Sequence, residues 1–297
     1  RQLRTLTDRL RPRRGSSKRH TDTPIGPLRD TVHDYVKPHT GWNVRAVAEC
    51  LTAGPNPLNE GKDDPTWQDT WHMKGVDALI RCCIQGFPLR YEGDRSRDIG
   101  QENGATCQNN PEATAAELRK EVSLGRIAGP YTCRPLPGFK TVPSGLKEEA
   151  TKHRPISMGN MLFGDSVNDG IQALDTIELA RTADIDRRII NAHRRTGQVW
   201  MANRDVKGAY RTMTVRPEDW HLQGICWDGE FYVDMYMSFG CRSSVDQWLR
   251  FADALAWTMA RWGVYAPHYV DDFIFIAGSK AELVEQLRKF DTICKAW

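Results

Sequence analysis

The run HYVDDFIFIAG, residues 268–278, constrains this chain more than any other stretch. Tyr269, Val270, Phe273, Ile274, Phe275 and Ile276 have strand character, and among them stand two adjacent carboxylates, Asp271 and Asp272. Ionised carboxylates are costly in apolar surroundings unless they are solvated, hydrogen-bonded or paired with a cation. The pattern predicts two short strands with both aspartates in the turn between them. Such a turn is compatible with plain solvation and with a divalent cation held by oxygen ligands.

Asp205 is a second carboxylate of the same kind. It closes the lead-in QVWMANRD, residues 198–205, which reads as a strand that gives way to a short helical turn. Alone, Asp205 reads as the N-cap of that turn. If its strand neighbours the later hairpin in one sheet, Asp205 comes beside Asp271, and the carboxylates can hold two divalent ions. Two such ions lower the charge on an attacking 3′-hydroxyl, bridge a triphosphate and stabilise the departing pyrophosphate. Hard oxygen ligands shared with phosphate favour Mg²⁺, with Mn²⁺ as the alternative.

The remaining periodicities supply a mixed α+β frame. Val44, Val47, Ala48 and Leu51, then Val76, Leu79, Ile80 and Cys83, recur at helical spacing, and another helix is expected from Glu112 to Val122. Gly125, Gly129, Pro130, Pro135, Pro137, Gly138, Pro143 and Gly145 then break the chain into extended pieces. A core-facing helix is expected within 166–198, using Ile171, Leu174, Ile177, Leu179, Ala180, Ile189 and Ile190 and ending in His193, Arg194 and Arg195. HLQGICW and EFYVDMYM flank Asp228-Gly229, a hairpin signal. Residues 244–262 carry a helical pattern, and SKAELVEQLRKFDTIC reads as a closing helix.

Composition narrows the class without choosing a function. At 297 residues, with 40% hydrophobic and 27% charged residues, the chain has the make-up of a globular protein with a real core. A net charge of +3 says little about a polyanionic partner, but the first twenty residues hold seven Arg, one Lys and one Asp. That arm either contacts phosphates or is a solvated tail. The eight cysteines show neither a C-x-x-C pair nor zinc-ligand spacing and read as reduced thiols. With no apolar run of membrane-spanning length and no signal-peptide core, the expectation is an intracellular protein, in cytoplasm or nucleus, without a membrane partner. Asp63, Asp64 and Asp69 lie in a segment rich in turn formers and read as turn and cap residues.

DVKGAY (205–210), SFGCRSS (238–244) and YVDD (269–272) resemble, in order and spacing, motifs A, B and C of reverse transcriptases. LGRIAGPY (124–131), HRPIS (153–157) and DSVNDGI (165–171) extend the likeness to the tyrosine-recombinase retrotransposons of the DIRS and Ngaro group. The resemblance covers about residues 75–297 and is strong from Glu121 onward.

It implies a right-hand polymerase: a basic arm (1–26), a helical region (27–120), fingers (121–198) and a palm (199–297) built on an antiparallel sheet with packed helices. By the same resemblance Asp205 and Asp271 bind both Mg²⁺ ions with the Val206 carbonyl, and Asp272 supports the site near the primer end. Tyr210 falls at the aromatic gate against a ribose 2′-hydroxyl. Phe239 and Gly240 lie where the nucleotide and template base pack, and Arg154 is matched to the triphosphate. Lys147 is a second phosphate contact, a role Lys152 could fill instead.

The implied activity is RNA-directed DNA synthesis, with dNTPs and an RNA or DNA template carrying a primer as partners. A catalytically inactive, nucleic-acid-binding remnant of a retroelement is the alternative. Viral RNA-templated RNA polymerases share the Asp-Asp turn, but a gate at Tyr210 argues against them. Ser244-Val245 stands where the family commonly has Ala-Pro, Asp246 adds a charge, and Arg204 occupies a position more often apolar. Trp297 falls before the family's primer grip and thumb, so the 297 residues are expected to be a fragment with little synthesis of its own. Oligomeric state is not legible. Tyr210→Ala is expected to ease ribonucleotide binding relative to deoxynucleotide binding; unchanged discrimination in a competition assay removes the gate.

Overall fold

The computed structural model describes residues 42–52, 67–149, 152–161, 164–172 and 179–297, with backbone alone at 52, 67–74, 148–149 and 152–154. The basic arm, Asp63 and Asp64 lie outside the described residues, as does the side chain of Asp69. The chain forms two compact units, each taken here by itself. The first comprises Gln85–Ala173 and Tyr210–Ser244, the second Trp42–Ile84, Leu174–Ala209 and Val245–Trp297.

In the first unit, helices α3 (Ala105–Asn109) and α4 (Pro111–Ser123) precede strand β1 (Ile127–Tyr131) and the hairpin β2 (Ser144–Glu149) and β3 (Lys152–Ser157). Pro111 opens α4 at a position whose N–H needs no helical partner. Strands β5 (Gly224–Trp227) and β6 (Glu230–Asp234) join β1 in a three-stranded antiparallel sheet of order β1-β6-β5. Asp228 and Gly229 make the expected tight turn, both with positive φ, at 50° and 81°. Cys107, Ile127, Leu146, Trp227 and Tyr232 are buried together, with Leu118 and Val122 of α4 packed against them.

Two buried carboxylate clusters tie this unit together. Arg211 donates to both Asp234 oxygens, at 2.9 and 2.7 Å, and to Glu121 Oε2, at 2.7 Å from Nη2. Burial opposes the Arg211 charge, but Asp234 and Glu121 outweigh it and hold its pKa above the ordinary value. Asp219, fully buried, accepts from the Leu89 N–H and pairs with Arg95 and Arg216. These clusters link α4, β6 and the 3-10 turn Pro217–Leu222 to segments distant in sequence.

The second unit is built around α6 (Arg242–Arg261), whose first three residues belong to the other unit. From Gln247 to Ala260 only Arg250 and Asp253 escape burial, so α6 is a central helix with apolar residues all round. Trp42, just before α1 (Val44–Thr52), stacks on Phe251 at 4.2 Å, and Phe251 meets Trp297 at 5.3 Å. Val47 and Leu51 of α1 and Leu79 and Cys83 of α2 (Trp67–Gln85) are buried, as their spacing predicts.

Strands β4 (Trp200–Asp205), β7 (His268–Tyr269) and β8 (Asp272–Ala277) form an antiparallel sheet of order β4-β8-β7. Strand β8 alternates, with Phe273, Phe275 and Ala277 buried and Asp272, Ile274 and Ile276 half-buried. Phe290 of α7 (Lys280–Ala296) packs on Phe273 and Phe275, at 5.0 and 5.4 Å. Ser279 caps α7 by accepting the Glu282 N–H at 3.1 Å, and Glu282 reaches back to the Gly278 N–H at 2.9 Å. Arg195, in the last turn of α5 (Thr182–Thr196), grips both Glu282 oxygens.

Two expectations need correction. The helix within 166–198 begins only at Thr182, and Ile171 instead bridges to Tyr91; Leu174 and Ile177 lie outside the described residues. Nor does α5 face a core: Ala192 is its one buried residue and Ile190 is 48% exposed. The apolar positions from Ile171 to Ala180 mimic helical spacing but lie outside α5. The second correction concerns Asp272, which is the first residue of β8 rather than part of the turn. The turn is Val270-Asp271 alone, because Tyr269 pairs with Asp272.

Arg211→Met leaves buried Asp234 without its cation and Glu121 with the longer Arg126 contact at 3.4 Å, and is expected to cost about 3–5 kcal/mol, read as a lower urea midpoint. A pH effect also follows. Burial, reinforced by Arg95, lowers the His221 pKa to about 4. Between pH 6.5 and 4 the unfolded chain therefore takes up a proton that the folded chain refuses. Stability is expected to fall across that window by about 1–3 kcal/mol, after allowance for partial solvation. His221→Gln should flatten that part of the profile in melts at stepped pH.

Candidate active site

The β4–β8 register places the carboxylates. Asp205 lies directly opposite Asp272, Asn203 opposite Ile274 and Met201 opposite Ile276, all on one face. Arg204, Ala202 and Trp200 oppose Phe273, Phe275 and Ala277 on the other. Asp205 is exposed and Asp271 and Asp272 are half-buried. Like charges directly across an antiparallel pair repel. The Asp271 carbonyl accepts the N–H of Val206, the residue after β4, at 3.1 Å. The Val206 carbonyl takes the Ala209 N–H at 3.1 Å, which leaves it one lone pair.

Carboxylate oxygens and a backbone carbonyl in a like-charged cluster are the donor chemistry that a hard divalent cation satisfies. Among the described residues no group of three or more His, Cys, Asp or Glu side chains stands close enough to hold a metal ion.

Asp271 sits in a strained turn. Val270 has φ 55°, a left-handed conformation that a β-branched residue rarely adopts. Its carbonyl accepts Trp248 Nε1–H at 2.9 Å and lies 3.2 Å from His268 Nδ1.

The other residues singled out by sequence belong to the first unit. Tyr210 packs against Phe239 with ring centroids 5.0 Å apart. The Phe239 carbonyl accepts the Ser157 N–H at 2.8 Å, joining this segment to the end of β3. Gly240 follows with φ 96°, and a Cβ there would stand 1.8 Å from the Ser157 carbonyl oxygen, so no other residue fits without a backbone shift. Lys147 and Arg154 are cross-strand partners in the β2–β3 hairpin, and the Lys147 side chain is exposed. Lys152 heads β3, opposite Glu149.

Each departure from the family pattern has a local partner. Ser244 Oγ donates to the Ser238 carbonyl at 2.8 Å and Ser243 Oγ to the Leu89 carbonyl, so hydroxyl bonds fix the turn that proline would stiffen. Asp246 pairs with Arg250 one helical turn on, at 3.5 Å. Arg204 is in reach of Asp291 on α7, at 3.3 Å.

Asn168, from the DSVNDGI run, had no role assigned from sequence, yet it holds the Gly240 turn. Its Nδ2 donates to the Gly240 carbonyl at 2.8 Å and its Oδ1 accepts the Arg242 N–H at 2.9 Å. Trp248 was legible only as an apolar helix position, and His268 only as a residue beside the aspartates. Nothing in their spacing announces a shared carbonyl.

No protein-family model and no curated protein matches the chain. Solved structures do. The native prototype foamy virus protease-reverse transcriptase aligns with a TM-score of 0.51 at 16% identity, over 72% of this chain and 26% of that one. A foamy viral protease-reverse transcriptase in complex with double-stranded DNA gives 0.51 at 10% identity, over 86% and 42%. A mutant of the prototype foamy virus protein gives 0.51 at 15% identity, over 92% and 32%. The chain thus has a reverse transcriptase-like fold and spans between about a quarter and two fifths of these neighbours' lengths. No described helix is long and apolar enough to cross a membrane.

Asp205→Asn removes the cross-strand repulsion. In EDTA it is expected to raise stability by about 0.2–1 kcal/mol, whereas Mg²⁺ should raise the melting temperature of the unsubstituted chain more than that of the variant. A lower melting temperature for the variant in EDTA contradicts the like-charge account.

Proposed function

We propose that the chain is the catalytic part of an RNA-directed DNA polymerase from a retroelement of the DIRS and Ngaro kind, extending a primer with dNTPs. The observation that carries this reading is the placement of Asp205 opposite Asp272, with Asp271 in the adjoining turn, within a reverse transcriptase-like fold. In this reading the sheet of β4, β7 and β8, within residues 199–297, is palm and the β2–β3 hairpin, within 121–198, is fingers. Bound Mg²⁺ ions would supply charge neutralisation at the attacking hydroxyl and the leaving phosphate.

The protein's own residues do the rest. Asp205, Asp271 and the Val206 carbonyl offer the ligands, and Asp272 adds negative charge beside them near the primer end. Arg154 and Lys147 offer cations to the triphosphate from adjacent strands of one hairpin. Phe239 and Gly240 are the residues against which the nucleotide and template base pack, on a turn seated so closely on Ser157 that only glycine fits at 240. Tyr210, buttressed by Phe239, is the group that excludes a 2′-hydroxyl.

The test is single-turnover addition of one dNTP to a primer on an RNA template, with the chain in excess over primer and Mg²⁺ present. Incorporation is expected, and Asp271→Asn with Asp272→Asn should reduce it by at least about a thousandfold, the scale on which loss of transition-state charge stabilisation acts. Duplex binding without incorporation in every form supports the nucleic-acid-binding remnant instead. Incorporation that survives the double substitution rejects these aspartates as the metal ligands.

A further inference from the structure

The turn that presents Asp271 is held from the side opposite β4. Its first residue, Val270, adopts φ 55°, in a two-residue turn where glycine is the usual occupant of such a conformation. A left-handed β-branched residue costs about 1–3 kcal/mol and persists only where its surroundings enforce it. The enforcing groups are visible. Trp248 Nε1–H donates to the Val270 carbonyl at 2.9 Å, and His268 Nδ1 lies 3.2 Å from the same oxygen.

The Val270 carbonyl and the Asp253 carboxylate can both only accept, so the His268 ring is placed as a donor towards each, an assignment that follows from its partners. The other ring nitrogen, Nε2, is 3.0 Å from Asp253 Oδ1, which fixes the ring's orientation. The ring also lies on Phe273 at 5.1 Å, and both His268 and Trp248 are buried. Trp248 and Asp253 come from the same central helix, α6, so the turn takes its position from that helix as well as from its own strands.

We propose that Trp248, His268 and Asp253 are positioning residues that clamp the Val270 carbonyl and thereby set the direction of the Asp271 carboxylate; this rests on the polymerase reading above. On the other side the Asp271 carbonyl is held by the Val206 N–H at 3.1 Å. Asp271 is thus flanked by two held carbonyls, that of Val270 before it and its own after it. Without the clamp Val270 relaxes towards negative φ, the peptide rotates, and Asp271 leaves the neighbourhood of Asp205.

The experiment is Mn²⁺ binding to the 297-residue chain, followed by the paramagnetic resonance signal of the free ion, with circular dichroism confirming that each variant is folded. His268→Phe keeps the ring stack but removes both polar contacts, and is expected to weaken Mn²⁺ binding by about tenfold, the scale of lost outer-shell partners at metal sites. His268→Asn retains a donor near the Nδ1 position and should recover most of that loss, a rescue that a purely space-filling role does not predict. Trp248→Phe should weaken binding in the same direction and decides the matter if His268→Phe does not fold. If both folded variants bind Mn²⁺ like the unsubstituted chain while Asp205→Asn does not, the clamp is wrong and the metal reading stands. If Asp205→Asn also binds as the unsubstituted chain does, the carboxylate site fails, and the clamp with it.

Discussion

The register of β4 against β8 is the constraint on which the candidate site depends. Side chains alternate across a strand, so a slip of one residue would turn Asp205 to the face of Phe273 and Phe275 and send Arg204 to the face of Asp272. Burial fixes the facing of β8 within this pairing. Phe273 and Phe275 bury against Phe290, and only one alternation puts both of them inward. The same burial leaves Asp272 on the outer face, opposite the exposed Asp205. Core packing on one side of the sheet thus sets the face of Asp272, and the β4 pairing brings Asp205 opposite it.

Placing like charges together is a stability cost that the surrounding structure offsets. On the carboxylate face there is no counter-charge in the register, and at the turn Val270 is held in a conformation that its side chain resists. Backbone strain at Val270 and the like-charged pair Asp205 and Asp272 thus lie in one short stretch of the sheet, a departure from the locally consistent rest of the fold. The first unit follows a different rule. There the buried carboxylates Glu121, Asp219 and Asp234 all have guanidinium partners, and they serve to join segments rather than to offer a vacant ligand.

The division of roles between the units is also informative. The aspartates and Val206 belong to one, while Tyr210, Phe239, Gly240 and the β2–β3 hairpin belong to the other. Within the first unit Asn168 and Ser157 bind the turn at Phe239 and Gly240 through its backbone. The replacement of Ala-Pro by Ser244-Val245 is accommodated in the same way, with a buried hydroxyl taking over the restraint.

The sequence by itself determined the local elements whose signals are short-range: the Asp228-Gly229 hairpin, the Ser279 cap with Glu282, the alternation of β8, and the helical faces that bury Val47, Leu51, Leu79 and Cys83. It also marked Asp205, Asp271 and Asp272, because carboxylates beside apolar strands have few physical explanations. Only the tertiary structure decided the pairings. Periodicity misled at Ile171, which bridges to Tyr91, and at Leu179 and Ala180, which precede the helix that begins at Thr182, and it could not tell that Asp272 opens a strand while Val270 and Asp271 turn. It could not show that Arg211 lies between Glu121 and Asp234, nor that Trp248 and His268 meet on one carbonyl. Hydrogen bonds between residues distant in sequence leave no periodic trace; they exist only once the core has chosen a register and brought their partners within about 3 Å.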